Sequence, residues 1–281
     1  MPREAPRTIL STAVPYQKDV CAQDYEVIVI ENGSKRPLSR QTRETIPSGV
    51  RIVDVLDAQQ TPVFALNWAA RELATGDVLL FAIDGARIFT DRLYAETIAA
   101  HADAEDAFVY TLAWHLGPKV QMISALEGYD ADVEDRLLAA SGWPQDPDAL
   151  YDISVLASSS EPGFFGHIAE SNAFSMRRSL FESIGGYDER FVSPGGGLAN
   201  LEIFHRYVTR PNARNVCLLS EGTFHQIHGG VATSGGASWE TLNDEHRAIF
   251  GRDYCRPTYE AHHRGTIRAK AQRFLEAAHL G

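Results

Sequence analysis

Six apolar residues in a row, Val78-Leu79-Leu80-Phe81-Ala82-Ile83, stop abruptly at Asp84-Gly85-Ala86-Arg87. A strand buried on both faces reads this way, because neither of its alternating faces needs polar residues. Tyr25-Glu26-Val27-Ile28-Val29-Ile30 follows the same plan and ends in the polar turn Glu31-Asn32-Gly33-Ser34. Between them come a shorter strand over 50–55 and a helix opened by Thr61-Pro62, with Thr as cap and Pro in the first turn. Val63, Leu66, Ala70 and Leu73 recur at helical spacing, and Gly76 stands where a helix stop belongs. A helix over about 91–102 and a strand over about 107–114 continue the alternation. This order predicts an α/β fold with a mostly parallel sheet and helices on both faces. Ligands of such sheets bind outside the carboxyl ends of the strands. The turn ending in Ser34 and the loop centred on Asp84 are therefore expected to converge on one crevice.

The middle, roughly 115–170, is broken into loops and short helices by Trp143-Pro144, Asp146-Pro147 and Glu161-Pro162-Gly163. Short helices are expected over 177–184, stopped by Gly185-Gly186, and over 198–208, after Gly195-Gly196-Gly197. A last helix over about 258–279 would carry Arg264, Arg268, Lys270 and Arg273 on a solvated basic face. Residues 1–250 thus read as one domain and 251–281 as a helical tail.

Composition narrows the function classes. Lys and Arg number 26 against 37 Asp and Glu, so the chain lacks the basic surplus that nucleic-acid binding requires. No apolar run approaches the roughly 20 residues of a membrane span, and Met1-Pro2-Arg3-Glu4-Ala5 lacks a hydrophobic signal core. Cys21, Cys217 and Cys255 form no paired motif, which predicts reduced, mostly buried thiols in a protein of the cytoplasm, or one peripheral to a membrane.

Four segments resemble the GT-A fold glycosyltransferases that use nucleotide sugars, close to glycosyltransferase family 2. Tyr25 to Ser34 resembles the family's second strand and its acidic-Asn-Gly-Ser turn. Asn67-Trp68-Ala69-Ala70-Arg71-Glu72-Leu73-Ala74-Thr75-Gly76-Asp77 resembles the helix before the DxD strand, and Asp84-Gly85-Ala86 stands where DxD belongs. Ser171-Asn172-Ala173-Phe174-Ser175-Met176-Arg177-Arg178, followed by Gly185-Gly186-Tyr187-Asp188-Glu189-Arg190-Phe191, resembles the acceptor-side strand and the GG-aromatic-DE segment. The resemblance implies transfer of a sugar from a nucleotide-diphosphate donor to a carbohydrate or related hydroxyl acceptor, with inversion at the anomeric carbon. It implies donor contacts from Glu31, Asn32, Ser34 and Asp84, and acceptor-side contacts from Asn172 and Asn200.

Departures from the family pattern are informative. Ala86 replaces the second Asp of DxD, and Asp84 alone is a poor site for a hard divalent cation such as Mn2+ or Mg2+. His225 and His228 are candidate metal ligands beside Asp84, although the pair is equally suited to hydrogen bonding. Alternatively, Arg87 meets the diphosphate directly. Ala199 and Asn200 occupy the positions of the family's acidic pair, which leaves Glu202 as candidate base and Asp188 as its competitor. Glu202 also stands four residues before Arg206, the spacing of a structural ion pair. The start of the chain resembles the helix that follows the family's first strand, so that strand is expected to be missing, by an upstream start or truncation. An alternative function is a binding or regulatory protein that kept the fold and lost turnover. A nucleotidyltransferase is disfavoured by the Gly-Gly-Tyr-Asp-Glu segment.

Overall fold

A computed structural model describes residues 1–228 and 238–276. The chain opens with α1 (Ala5–Ser11), β1 (Val27–Glu31), α2 (Arg40–Glu44), β2 (Val50–Asp54) and α3 (Val63–Trp68), which a π-helical turn extends over Ala69–Leu73. Next come β3 (Val78–Ala82), β4 (Arg87–Phe89), α4 (Leu93–Asp103), β5 (Ala107–Leu116), α5 (Gln121–Ser124), α6 (Ala131–Ser141), α7 (Ala149–Asp152) and β6 (Ser154–Leu156). The remainder is β7 (Ala173–Arg177), α8 (Arg178–Ile184), α9 (Ala199–Val208), β8 (Arg214–His225), α10 (Trp239–Phe250), β9 (His262–Arg264) and α11 (Arg273–Glu276). The alternation read from the sequence is present as an α/β fold.

The main sheet is ordered β3-β7-β5-β8-β4, with β6 added to β5 and β9 to β8. Its longest ladder is parallel, running from Ala107↔Arg214 to His115↔His225. The β8–β9 pairing is also parallel, while β3–β7, β5–β7, β5–β6 and β4–β8 are antiparallel. β1 and β2 form a separate parallel pair.

Strand β5 shows why the sheet is covered on both sides. Its side chains alternate, so Phe108 and Tyr110 pack with Phe174, Phe204 and Tyr207 on one face. Ala107 and Val109 pack with Leu93 and Ala100 of α4 on the other. Phe108 and Tyr207 stack with ring centres 4.9 Å apart. One irregularity interrupts the β5–β8 ladder, between the Tyr110 and Leu112 pairings. Gly222 sits there because a β-carbon would lie 2.1 Å from the Leu112 carbonyl oxygen.

Helix ends follow local chemistry. Asp130 accepts from the Val133 amide to open α6, and Gly185 at φ 90° closes α8 as the sequence predicts. α1 covers one face of the small sheet, where Ala5 and Ile9 meet Val27, Val29, Val50 and Ile52. With two strands and one covering helix, β1 is half-buried rather than fully enclosed as its aliphatic run suggests.

The continuous helix expected over 258–279 is reduced, within the described residues, to α11 (Arg273–Glu276), and 277–279 lie outside them. Instead His262–Arg264 adds a strand to β8, and Tyr259 and Phe274 join the main core. Arg268 is not on a solvated face: it bonds Asp91, Asp148 and Glu221 at 2.6, 2.7 and 2.5 Å and is largely buried. All three cysteines are free thiols, but Cys21 and Cys255 are exposed, against the expectation of burial. Among the described residues no helix is long and apolar enough to cross a membrane.

α4 meets the sheet through His101, whose Nε2 lies 2.9 Å from the Ser175 hydroxyl of β7. Burial, reinforced by the Arg177 charge, pushes this imidazole down to about 4. Below pH 6.5 the unfolded chain takes up a proton that the folded chain refuses until about pH 4. Stability should therefore fall as pH drops through that window, by up to about 3 kcal/mol from this residue. Urea denaturation at pH 7 and pH 4.5 checks this: His101→Gln should lose distinctly less stability between the two than the wild type.

Candidate functional site

Asp84 follows β3 with a left-handed backbone, φ 68°. Its Oδ1 accepts from the Ala86 amide at 2.8 Å, the local bond that lets a short acidic side chain hold this conformation. Ala86 is wholly buried, and its carbonyl accepts from the Gln226 amide. Position 86 is therefore part of the packing between the β3–β4 loop and the end of β8. Arg87 opens β4, buried, with Nε donating to the Ile83 carbonyl at 2.7 Å and lying 3.3 Å from Asp84 Oδ2. Its Nη1 is buried with no hydrogen-bond partner among the described residues.

His225 arrives beside Asp84 at the end of β8, which pairs with β4 through Arg87↔His225. Gln121 fixes its tautomer. The Gln121 Nε2 donates to the His225 carbonyl at 2.8 Å, leaving Oε1 to accept from His225 Nδ1 at 2.5 Å. His225 Nε2 then lies 3.1 Å from His228 Nε2 and 3.5 Å from Asp84 Oδ2. The ligand atoms of Asp84, His225 and His228 all lie within 4.8 Å of one another, close enough to hold one metal ion. Burial alone would raise the Asp84 carboxyl, but Arg87 and then His225 and His228 outweigh it and hold it well below the usual range. Burial lowers His228, and it pushes neighbouring His115 down to about 3. His115 is thus neutral and accepts from the Gln121 amide at 3.0 Å.

The other sequence-predicted residues fall in separate places. Glu31 is buried and accepts from the Leu38 amide at 3.2 Å. Asn32 donates to the carbonyls of Gln59 and Thr61, while Ser34 is exposed. No hydrogen bond among the described residues joins this turn to Asp84 or Arg87. Helix α1 touches both regions: Ala5 and Ile9 pack on the small sheet, and Thr8 Oγ1 donates to the Gly85 carbonyl at 2.9 Å. Asn172 lies at the start of β7, its carbonyl accepting from the Ile83 amide at 3.1 Å.

Asn200 bonds Glu170 and Ser171 at 2.7 and 3.0 Å. Glu202 is buried against Arg206 at 2.7 Å, and Asp188 is held by Arg190 at 2.6 Å. Asp188 and Arg206 line a pocket with Arg71, apart from Asp84. Both acids are bound to guanidinium groups, which leaves neither oriented by the Asp84 cluster. Gln121, His115 and Glu170 carry no sequence signal of their own. All three lie in the irregular middle segment; Gln121 and His115 join the Asp84 cluster through tertiary contacts, whereas Glu170 is held by Asn200.

No family model matches the chain, and no curated protein matches it in sequence. Among solved structures it resembles S. aureus TarS 1-349 in complex with UDP-GlcNAc, with TM-score 0.56 and 15% identity over 88% of this chain. The fold is GT-A. Weaker likenesses are to another structure of S. aureus TarS, at TM-score 0.49 and 12% identity over 90% of this chain, and to GalNAc-T7 with UDP, GalNAc and Mn2+, at 0.48 and 14% over 80%. The chain spans 62%, 38% and 42% of those three chains, in that order. At such identities the likeness is one of fold, and the chemistry has to be argued from the residues.

Asp84 is the counter-charge of a guanidinium that is otherwise buried. Asp84→Asn keeps the left-handed turn but leaves Arg87 unpaired, so it should cost about 2 kcal/mol in urea denaturation. Asp54→Asn, which breaks the exposed bidentate pair with Arg43, should cost far less. Equal losses would contradict this description of the site.

Proposed function

We propose that the protein transfers a sugar from a nucleotide-diphosphate donor to a carbohydrate or related hydroxyl acceptor, with inversion, in the manner of glycosyltransferase family 2. The observation that carries this reading is the Asp84-His225-His228 cluster at the carboxyl end of β3 in a GT-A fold. One carboxylate and two imidazoles suit a first-row transition ion such as Mn2+ better than Mg2+, which prefers oxygen ligands. Such an ion would offset negative charge on the leaving diphosphate. The bond from Gln121 fits that role, because it holds the His225 ring with Nε2 3.5 Å from Asp84 Oδ2. Arg87 adds a buried cation with one unsatisfied N–H group beside the same carboxylate. Glu31, Asn32 and Ser34 are assigned to the nucleoside, at the carboxyl end of β1 in the separate two-stranded sheet.

A second reading has its own observation in favour. Ala86 stands in place of an acid, and both acids first considered as base are neutralised by arginines. These features suit a protein that binds nucleotide sugars without turning them over.

Calorimetry with UDP and GDP, with and without Mn2+, tests the donor site. Binding of one nucleotide should require Mn2+, and Asp84→Ala or His225→Ala should weaken it about tenfold or more. Release of nucleoside diphosphate from UDP-GlcNAc or GDP-mannose separates the two readings. Binding without turnover favours the second, and no binding at all rejects both.

A further inference from the structure

Helix α9 presents two different chemistries to its surroundings. Asn200 and Glu202 are two residues apart, about 200° around the helix, and so face opposite ways. Glu202 turns toward Arg206, whose guanidinium also donates to the Ile184 and Gly186 carbonyls. Asn200 turns toward the start of β7. Its Oδ1 accepts from the Tyr187 hydroxyl at 3.4 Å, and its Nδ2 donates to Glu170 Oε2 at 2.7 Å and to the Ser171 carbonyl at 3.0 Å. Glu170 lies just ahead of Asn172, whose carbonyl bonds the Ile83 amide, and β7 runs antiparallel to β3. The β7 side therefore delivers Glu170 to the sheet end where β3 delivers Asp84.

The state of the carboxylates then decides between them. Glu202 is paired with Arg206 and Asp188 with Arg190, while Glu189 accepts from Asn67 and lies 3.6 Å from Arg71. Arg190 holds the Asp188 carboxyl below its ordinary range, whereas burial raises that of Glu202 despite Arg206, but both Glu202 oxygens are engaged by that guanidinium. Glu170 has no ion pair among the described residues. One of its oxygens is held by Asn200, the other makes no hydrogen bond to them, and the residue is only half-buried. It is held in place, ionisable and open on one side.

We propose that Glu170 is the general base of the transfer, an assignment that rests on the transferase reading above. Its free oxygen takes the proton from the acceptor hydroxyl, and that oxygen forms a bond to the anomeric carbon of the donor. The bond from the anomeric carbon to the diphosphate oxygen breaks, and its electron pair leaves with the nucleoside diphosphate. The proton ends on Glu170. Asn200 is a positioning residue: it fixes the carboxylate and is itself oriented by Tyr187. The amide thus does through a neighbour what an acid at position 200 would do directly.

The test measures two quantities in the full chain with Mn2+. One is release of UDP from UDP-GlcNAc and GDP from GDP-mannose, with water and simple sugars as acceptors. The other is the affinity for the nucleoside diphosphate alone. Glu170→Gln should slow turnover by about 10²–10⁴-fold and change nucleotide affinity less than about threefold. Glu170→Ala should regain turnover when sodium formate supplies a small carboxylate base, which a merely structural role would not allow. A Glu170→Gln protein within about threefold of wild-type turnover overturns the assignment. So does one whose lost turnover is matched by lost nucleotide affinity, since that marks a donor contact. A wild type that binds no nucleotide or turns over no donor rejects the transferase reading, and this assignment with it.

Discussion

Asp84 brings a negative charge into a cluster that also holds one guanidinium and two imidazoles, and most of the site's geometry follows from accommodating it. The carboxylate caps its own turn through the Ala86 amide, balances Arg87, and faces an imidazole ring that Gln121 holds in place. These partners come from three strand ends and one short helix. Their meeting depends on the pairing of β8 with β4 and β5. A slip of one residue in that ladder would turn His225 to the opposite face of the sheet. The close approach at Gly222, three residues earlier on β8, lies where the ladder changes register. The backbone near Leu112 and the chemistry near Asp84 are thus linked through one strand.

Much of the fold was legible because it is written in local patterns. The aliphatic run ending at Ile83 and the Gly185-Gly186 stop give their elements almost to the residue. The two family-like segments, one opening at Asn67 and the other Gly-Gly-Tyr-Asp-Glu, are also joined physically. Asn67 donates to the Tyr187 carbonyl and to Glu189 and accepts from the Tyr187 amide, so the two segments form one unit. The tail departs from its local pattern: Arg264, Arg268, Lys270 and Arg273 read as a solvated helix face. Arg268 is instead the centre of a buried cluster whose three acids lie far away in sequence. Nothing in the local pattern separates a solvated arginine from one that has distant carboxylates to meet.

The site shows the same division. Asp84, Arg87, His225 and His228 could be named from the sequence because each stands at a strand end or in a short motif. The Glu202–Arg206 pair could be anticipated as well, since four-residue spacing on a helix favours it. What the sequence did not reveal is which carboxylate beside α9 has no ion pair among the described residues. That depends on the whole set of ion pairs, and Glu170 emerges only when Arg71, Arg190 and Arg206 are already accounted for.

An asparagine where an acid is expected is usually read as loss of catalysis. The reading changes when the amide touches a carboxylate. Replacing an acid by Asn at a position already facing Glu170 removes like-charge repulsion and converts a contact between two anions into a hydrogen bond. A carboxylate pair in that place would share a proton and be a weaker base at low pH. On the proposed assignment, the Asn200–Glu170 arrangement supplies a single oriented carboxylate, without an ion pair among the described residues, to the acceptor side, while Asp84 serves the donor side from the neighbouring strand. Two carboxylates, each given a different set of partners, are thereby set to two different tasks. The partners, more than the residue type, assign them.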